Sequence, residues 1–486
     1  MKNIYTLIAI SLILPLQSWS QVVINEFCIA NYSDYNIPSG GNNYEDWVEF
    51  YNPSGSAVDI SGYWLSDNAA NPQKWSFPAG TTIPANGYRI VLLTGRGSYQ
   101  PNYLGGMNAN FKINQTAGEE IVFSNSGGVV LETYDFDTMS PNQANHSWGR
   151  VPDGSSTWRI LTNPSENAAN PATGSTGYAS MPTMDLQAGY YPNPINVNLS
   201  TLEPGGTIYY TLDGTTPSNT STLYTGAINI SSTKVLRAIV YSADPNELPS
   251  FIETNTYFFG ADNHSILTVS VSGNNMNGQW PGGGNNRLTN IEFFTAGGTF
   301  ITENHGDSNE HGNDSNAYGQ RGFDLIVRDE LGYDHTVAEP LFAERNRDNF
   351  DRLIFKAAAN DNYPCSNGGA HIRDAYVCEL SILGGLHLDE RATRSCIVYL
   401  NGNYWGVYEV REKIDDTDFT AHYYNQDRGQ VDYLKTWGGT WAEYDAAPAF
   451  NATANWNTIR NFITTNNMAT QANYDYVITQ YNHMSL

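Results

Sequence analysis

The stretch Cys396-Ile397-Val398-Tyr399-Leu400-Asn401-Gly402-Asn403-Tyr404-Trp405-Gly406-Val407-Tyr408 decides the fold of the carboxy-terminal part of the chain. Two runs rich in β-branched and aromatic residues flank Asn401-Gly402. Asn-Gly between two such runs is the strongest short-range signal for a β-hairpin. We therefore predict an antiparallel hairpin whose turn lies at these two residues.

A helix is predicted before the hairpin, and it begins near Ile372-Arg373-Asp374. It ends at Gly384 or Gly385 and carries an apolar stripe made of Ala375, Tyr376, Val377, Leu380 and Leu383. Strands are predicted over 266–271, 290–294, 322–327 and 351–356, and a last helix over 472–484. Strands, a helix, a hairpin and a helical tail in this order indicate an α+β lobe after His264.

Short alternating runs separated by turn residues fill the chain before that lobe. Between Val22 and about Asn170 they are Val22-Val23-Ile24, Trp47-Val48-Glu49-Phe50, Tyr88-Arg89-Ile90-Val91-Leu92 and Glu120-Ile121-Val122-Phe123. A second set begins near Pro182 and contains Ile208-Tyr209-Tyr210-Thr211-Leu212 before an Asp-Gly turn. Each set predicts an antiparallel β-sandwich. The Pro-, Asn-, Ser-, Thr- and Gly-rich stretch 163–182 between them is interpreted as a linker.

Length and charge restrict the possible functions. The chain of 486 residues is long enough for about three domains. Its formal net charge of −25 repels phosphate backbones and anionic lipid, which argues against nucleic acid as a partner.

The first twenty residues have the pattern of a secretory signal. Lys2 precedes an apolar stretch from Ile4 to Leu16, and the small residues Ser18 and Ser20 stand where a signal peptidase would cut. No later apolar run is long enough to span a bilayer. We expect a secreted, extracellular or cell-surface protein without a membrane span. In that compartment a disulfide among Cys365, Cys378 and Cys396 is an option, whereas the cysteine spacing does not suit a structural metal.

Three resemblances to known families follow the same divisions. Ile24-Asn25-Glu26, Asp46-Trp47-Val48-Glu49-Phe50-Tyr51-Asn52 and Trp148-Gly149-Arg150-Val151-Pro152-Asp153-Gly154 resemble a lamin tail domain, which implies an immunoglobulin-like fold. Tyr210-Thr211-Leu212-Asp213-Gly214-Thr215-Thr216-Pro217 resembles the chitobiase/hexosaminidase carboxy-terminal sandwich, for which glycan contact is conceivable. The expected boundaries are 1–20 for the signal, 21–166 and 182–260 for the sandwiches, 167–181 for the linker and 264–486 for the lobe.

The lobe resembles the amino-terminal portion of a CotH (spore coat protein H) atypical kinase. The motifs are Gly319-Gln320-Arg321-Gly322-Phe323-Asp324-Leu325, Ile372-Arg373-Asp374-Ala375, the hairpin, Glu409-Val410-Arg411-Glu412-Lys413-Ile414-Asp415 and Val431-Asp432-Tyr433-Leu434-Lys435. This resemblance implies transfer of a phosphoryl group from ATP, with Mg²⁺, to Ser or Thr of a secreted or cell-surface protein. The expected fold is two all-β immunoglobulin-like sandwiches followed by an α+β kinase-like lobe.

Phosphoryl transfer needs cations at the triphosphate and a carboxylate that holds such a cation in place. We predict that Arg321 or Lys356 lies opposite Glu379 on the helix, and that Glu412 and Lys413 after the hairpin form the adenine side of the site. Arg321 stands where many relatives have lysine, although a guanidinium binds phosphate well.

The catalytic Asp residues of the family are expected beyond Leu486, so the sequence is interpreted as a fragment that is inactive by itself. The cluster His305, Asp307, Glu310, His311 and Asp314 is interpreted as a solvated loop and not as a metal site. A non-enzymatic adhesion or carbohydrate-binding protein is the alternative function.

Overall fold

The computed structural model describes residues 22–34, 44–97, 106–282, 286–312, 319–362, 369–386, 389–428, 431–436, 439–444 and 451–480. The signal-like leader, Cys365, Asp314 and the last residues of the predicted tail helix lie outside the described residues.

The first module is a β-sandwich, as its alternating runs predict. One sheet has the order β11-β10-β1-β2-β7 and faces a second sheet with the order β5-β4-β8-β9. Rings from both sheets meet in the core, where the Phe50 centroid lies 4.8 Å from that of Phe123. The strands are β1 (Val23–Cys28), β2 (Trp47–Tyr51), β3 (Val58–Asp59), β4 (Trp64–Ser66), β5 (Trp75–Ser76), β6 (Thr82–Ile83), β7 (Tyr88–Leu92), β8 (Glu120–Ser124), β9 (Val130–Asp135), β10 (Ser147–Arg150) and β11 (Trp158–Leu161).

The stretch interpreted as a linker is ordered against the first module. Ser165 donates its backbone N–H and its hydroxyl to Glu26, and Asn167 donates its backbone N–H to Glu49 at 2.7 Å. Asn170 donates its backbone N–H to Asp153 at 3.0 Å. Its composition predicted a disordered linker because the stretch has little apolar surface to bury. In the structure its backbone amides are instead satisfied by carboxylates of the first module. We call 163–170 the tethered segment.

The second module is also built from strands. Its main sheet has the order β14-β22-β20-β17-β18, and short pairs of strands complete the module. Val197, Leu236 and Val240 lie in its core. The strands are β12 (Gly177–Tyr178), β13 (Pro182–Met184), β14 (Gly189–Tyr191), β15 (Ile195–Val197), β16 (Leu199–Thr201), β17 (Thr207–Thr211), β18 (Thr222–Leu223), β19 (Ile228–Ile230), β20 (Lys234–Tyr241), β21 (Glu247–Leu248) and β22 (Glu253–Phe259).

The third module contains a closed barrel with the strand order β23-β24-β25-β26-β27-β29-β28. Alternate residues of these strands fill its interior, among them Phe293, Phe323 and Phe355. The elements are β23 (Leu267–Ser272), β24 (Arg287–Phe294), β25 (Phe300–His311), β26 (Gly322–Val327), β27 (Arg352–Lys356), α1 (Arg373–Gly384), β28 (Thr393–Leu400), β29 (Asn403–Glu412), α2 (Thr417–Tyr424), β30 (Tyr433–Thr436), β31 (Thr440–Tyr444), α3 (Ala452–Thr465) and α4 (Gln471–Gln480).

The hairpin and the helix before it are confirmed. β28 and β29 pair antiparallel through a turn in which Asn401 and Gly402 have φ of 49° and 76°, the left-handed region that Asn-Gly readily adopts. Helix α1 ends at Gly384, and Gly385 caps it with φ of 62°. The predicted apolar stripe does not face the barrel, because Leu380 and Leu383 are 50% and 73% exposed.

The interpretation of the His305 to Asp314 cluster as a solvated loop is wrong for the described residues, because these lie in the long strand β25. Both edges of this strand are paired, with β24 on one side and β26 on the other. Asn304, His305, Asp307 and Ser308 in its middle are buried, and Asp307 bonds to other elements. Asp307 accepts hydrogen bonds from Tyr32 of the first module at 2.5 Å and from Arg328 at 2.9 Å. Polar composition alone gave no sign of these partners.

The three modules contact one another through buried groups. Gln115 of the first module donates its side-chain amide to the backbone oxygen of Asp329 at 2.6 Å. Between the second and third modules, Thr256 donates its backbone N–H to the buried Glu292 at 2.9 Å, and the Phe258 ring packs edge-on against Tyr399. The contacts fix each sandwich against the barrel.

None of the helices in the described ranges combines the length and the apolar character needed to cross a membrane. Cys28, Cys378 and Cys396 are free thiols.

Candidate functional site

The candidate site lies on the outer face of the barrel, across β26, β27 and β29. Phe323 and Leu325 of β26 point into the barrel, so Asp324 between them points outward. On β27, Leu353 and Phe355 point inward, which leaves Ile354 and Lys356 on the outside. Because neighbouring strands are paired in register, these outward side chains form one continuous surface.

A charged cluster covers one end of this surface, beneath helix α1. The Lys356 ammonium lies 2.6 Å from an Asp374 carboxylate oxygen, and Arg411 of β29 lies 3.3 Å from the same oxygen. Arg411 also pairs with Glu409 on its own strand. We call Lys356, Asp374, Glu409 and Arg411 the Lys356 cluster. Burial alone would raise the pKa of Asp374, but the hydrogen bonds and positive charges of Lys356 and Arg411 hold that pKa below its ordinary value.

The two cations of the Lys356 cluster differ in their access to solvent. The Arg411 and Glu409 side chains are only 2% exposed, whereas Lys356 is 21% and Asp374 53% exposed. Arg411 therefore contacts Asp374 on its buried side, and the ammonium of Lys356 is on the side exposed to solvent. An incoming anion can bind Lys356 while Asp374 keeps Arg411 as a partner, so the exchange leaves no buried charge unpaired.

Helix α1 places Asp374 over the strands. The carboxylate of Asp361, at the end of the 3₁₀ turn Ala359–Asp361, accepts the backbone N–H groups of Ala370 and Arg373, both at 3.0 Å. These bonds satisfy amides that have no partner within the helix itself and fix where the helix begins. Asp374 in the first turn and the buried Ser381 two turns later share the face that meets the barrel.

A second row of charges lies on the same surface, next to the Lys356 cluster. His311 lies 2.7 Å from Asp324, and Lys413 lies 3.1 Å from Asp324 and 3.4 Å from Asp415. Lys435 of β30 pairs with Asp415 as well. We call His311, Asp324, Lys413, Asp415 and Lys435 the Lys413 ladder. Burial opposes ionisation of Asp415, yet the two lysines lower its pKa to about 2.

The structure brings some of the predicted site residues together and separates others. Lys356 lies in its cluster and Lys413 in its ladder, on the same face of the barrel. The helix carboxylate that meets Lys356 is Asp374, and Glu379 is not its partner. Arg321 immediately precedes β26, where its backbone oxygen accepts a hydrogen bond from Tyr408 at 3.1 Å.

Glu412 has a structural environment that its sequence position did not reveal. Its side chain is fully buried, and it accepts hydrogen bonds from Tyr423 at 2.9 Å and from the backbone of Ala392 at 3.1 Å. Arg347, itself 2% exposed, lies 3.3 Å from it. The carboxylate is thus already engaged in the interior and is not available to a ligand on the outer face.

Asp374 and Arg411 were missed as site residues, although both lie in motifs noted in the sequence. The strand alternation that points Lys356 outward also points Arg411 outward, and that signal could have identified Arg411. No group of three or more potential metal ligands comes together among the residues that the structure describes.

Comparison with protein families divides the chain in the same way as the fold. Residues 16–138 match the Lamin Tail Domain model, 186–250 match the chitobiase/beta-hexosaminidase C-terminal domain model, and 309–482 match the CotH kinase protein model. No curated protein matches the chain. The third match contains the strands of the candidate site, helix α1 and the hairpin. The chain thus combines a region similar to CotH kinase proteins with one region similar to a lamin tail domain and one similar to a chitobiase/hexosaminidase carboxy-terminal domain.

Proposed function

We propose that the third module binds ATP on the outer face of its barrel and serves a protein kinase that phosphorylates Ser or Thr. The observation that supports this most strongly is the ion pair between Lys356 on a barrel strand and Asp374 on the helix that crosses it. In protein kinases a strand lysine pairs with a carboxylate of the following helix and binds the phosphates of ATP. Here an aspartate of the first helical turn takes the place of the usual glutamate.

The residues on this face fit a triphosphate. Lys356 offers an accessible ammonium, and Arg321 lies just ahead of β26 with a guanidinium suited to phosphate oxygens. Mg²⁺ characteristically binds one or two carboxylates together with substrate phosphates, so it would enter with the nucleotide and needs no preformed cage. When bound, ATP supplies the phosphoryl group, and the chain's own cations hold it in position.

The Lys413 ladder marks the other end of the nucleotide. We assign the adenine side to Lys413 and the backbone carbonyl of Glu412, because these residues stand at the end of β29 on the same face and the Glu412 backbone N–H is already donated to Ala392. Asp324 and Asp415 hold the Lys413 ammonium between them, which keeps its stem along the surface. A bound nucleotide would then lie between the Lys356 cluster at its phosphates and the Lys413 ladder at its adenine.

The phosphate acceptor in this proposal is a secreted or cell-surface protein. The leader-like first twenty residues and the family resemblance of the two sandwiches support an extracellular setting. The charge of −25 opposes binding to nucleic acid. The sandwiches would hold the kinase lobe near its substrates and could themselves contact glycans.

Replacement of Lys356 by methionine tests the nucleotide site. Methionine keeps the length of the stem but removes the charge, so we expect Lys356→Met to bind ATP at least about tenfold more weakly than the wild type, a loss of about 1.4 kcal/mol. Its affinity for adenosine, which has no phosphates, should not change. Isothermal titration with Mg²⁺ present measures both.

The matched control is Lys234→Met, which removes an exposed lysine from the second module. It should bind ATP as the wild type does. Equal ATP affinity of Lys356→Met and the wild type, with both proteins folded, would contradict the proposed site.

A further inference from the structure

A cleft of about 690 Å³ lies where the three modules meet. Phe136 and Asp137 of the first module, Glu253 of the second, and Glu303, Tyr333 and Asp334 of the third line its walls. Pockets of this size at domain interfaces commonly bind small molecules. The lining shares no residue with the Lys356 cluster or the Lys413 ladder, so this cleft is separate from the proposed nucleotide site.

The charged side chains that line the cleft are all acidic. Asp137, Glu253, Glu303 and Asp334 contribute carboxyl groups, and neither lysine nor arginine lines the walls. Burial and repulsion from Glu292 hold the pKa of Glu303 well above its ordinary value, so Asp137, Glu253 and Asp334 are left to carry the charge of the cleft. His305 also lines the cleft, but burial holds its pKa well below the ordinary value, so it remains neutral. A concave surface with charges of a single sign concentrates ligands of the opposite sign. The cleft therefore favours a cation.

Glu253 is the carboxylate that most lacks a counter-ion. It is half-buried at the start of β22, and among the described residues its side chain accepts no hydrogen bond and forms no ion pair. Burial raises its pKa above the ordinary value. Glu303, by contrast, accepts a hydrogen bond from Asn290. A desolvated carboxylate without a partner is costly, and a bound cation would remove that cost.

Part of the remaining wall is apolar, beside the polar side chains of Gln115, Thr116 and Thr302. Phe136 and Ile252 line the cleft, as does Tyr333, whose ring stacks on that of His305 with the two centroids 3.4 Å apart. The Tyr333 hydroxyl is already bonded to the backbone of Ile252, so it is not free to select a polar ligand. Apolar walls around a carboxylate suit a positive group carried on a short apolar stem.

We propose that the cleft between the three modules binds a small organic cation, an ammonium or guanidinium group on a short apolar stem, with Glu253 as its counter-ion. The ligand would touch all three modules at once, which stabilises their arrangement by mass action.

Titration calorimetry on the full chain tests this with pentylamine as the probe and 1-pentanol as its uncharged match. We expect pentylamine to bind and 1-pentanol to bind at least about tenfold more weakly, since each tenfold step is about 1.4 kcal/mol. Glu253→Gln should weaken pentylamine binding about tenfold and leave the fold intact, because Glu253 has no partner to lose. Glu344→Gln, which changes an exposed carboxylate outside the cleft, should have no effect.

Absence of pentylamine binding would overturn the proposal, and so would equal affinity for pentylamine and 1-pentanol. A folded Glu253→Gln protein with wild-type affinity would overturn it as well. If Glu253→Gln does not fold, Asp137→Asn provides the same test at an exposed lining position. Affinity should also be lower at pH 5 than at pH 8, because protonation of Glu253 removes its charge.

Discussion

Glu26 and Glu49 are fully buried in the first module, where they hold the tethered segment. Burial raises the pKa of Glu26 to about 7. Burial, followed by repulsion from Glu26, raises the pKa of Glu49 to about 8. Both groups thus bind protons more tightly in the folded than in the unfolded chain. Their contribution to stability is complete below pH about 4.5 and is lost as the pH rises through about 7 and 8.

Glu49→Gln should therefore make stability less dependent on pH. The neutral amide resembles the protonated carboxyl group, so the fall in the urea unfolding midpoint between pH 5 and pH 9 should be smaller than in the wild type. Asp34→Asn, which changes an exposed carboxylate of the same module, should leave that fall unchanged. An equal fall in Glu49→Gln and the wild type would show that Glu49 does not carry the effect.

At the scale of single residues, sequence could predict cations but not their partners. Lys356 ends a recognisable strand, so its outward direction follows from alternation. Asp374 and Glu379 both lie on α1, and the sequence did not show which turn of the helix meets the strand. That choice depends on how α1 crosses the barrel, which the bonds of Asp361 and the packing of Ser381 determine.

At the scale of elements, the beginning of α1 controls the Lys356 cluster. Asp361→Ala removes the acceptor of two backbone N–H groups and the ion-pair partner of Arg373. We expect the first turn of α1 to fray, and its amides to exchange with solvent several-fold faster. Because Asp374 lies in that turn, ATP affinity should fall as well.

Hydrogen exchange measured by mass spectrometry follows the amides of α1 directly. Asp348→Ala removes an exposed carboxylate of the same module and should leave their exchange unchanged. If the amides of α1 exchange at the wild-type rate in Asp361→Ala, the first turn of the helix does not depend on the hydrogen bonds to Asp361.

Elements with strong local signals were predictable, and those that depend on distant partners were not. The Asn401-Gly402 hairpin and the Gly385 end of α1 follow from local conformational preferences. β25 does not, because its polar run becomes a strand only when β24, β26 and the first module supply its hydrogen bonds. Leu380 and Leu383 form part of the apolar stripe of α1 but are exposed, because a residue pattern alone does not show which face of a helix is covered.

At the scale of the whole molecule, the order of three modules was predictable, but their close association was not. Composition indicated two sandwiches and an α+β lobe, as observed. Composition did not indicate that the main sheet of the third module closes into a barrel, because closure depends on the pairing of β23 with β28. Nor could it show that Tyr32 and Thr256 would bond to buried carboxylates of the barrel.

Hydrogen exchange of the full chain, measured with and without ATP and Mg²⁺, tests the proposed nucleotide site without any substitution. We expect the nucleotide to slow exchange in β26, β27, α1 and the segment 412–415, and to leave β1–β22 unchanged. Slower exchange confined to the two sandwiches, or no change on the outer face of the barrel, would contradict it.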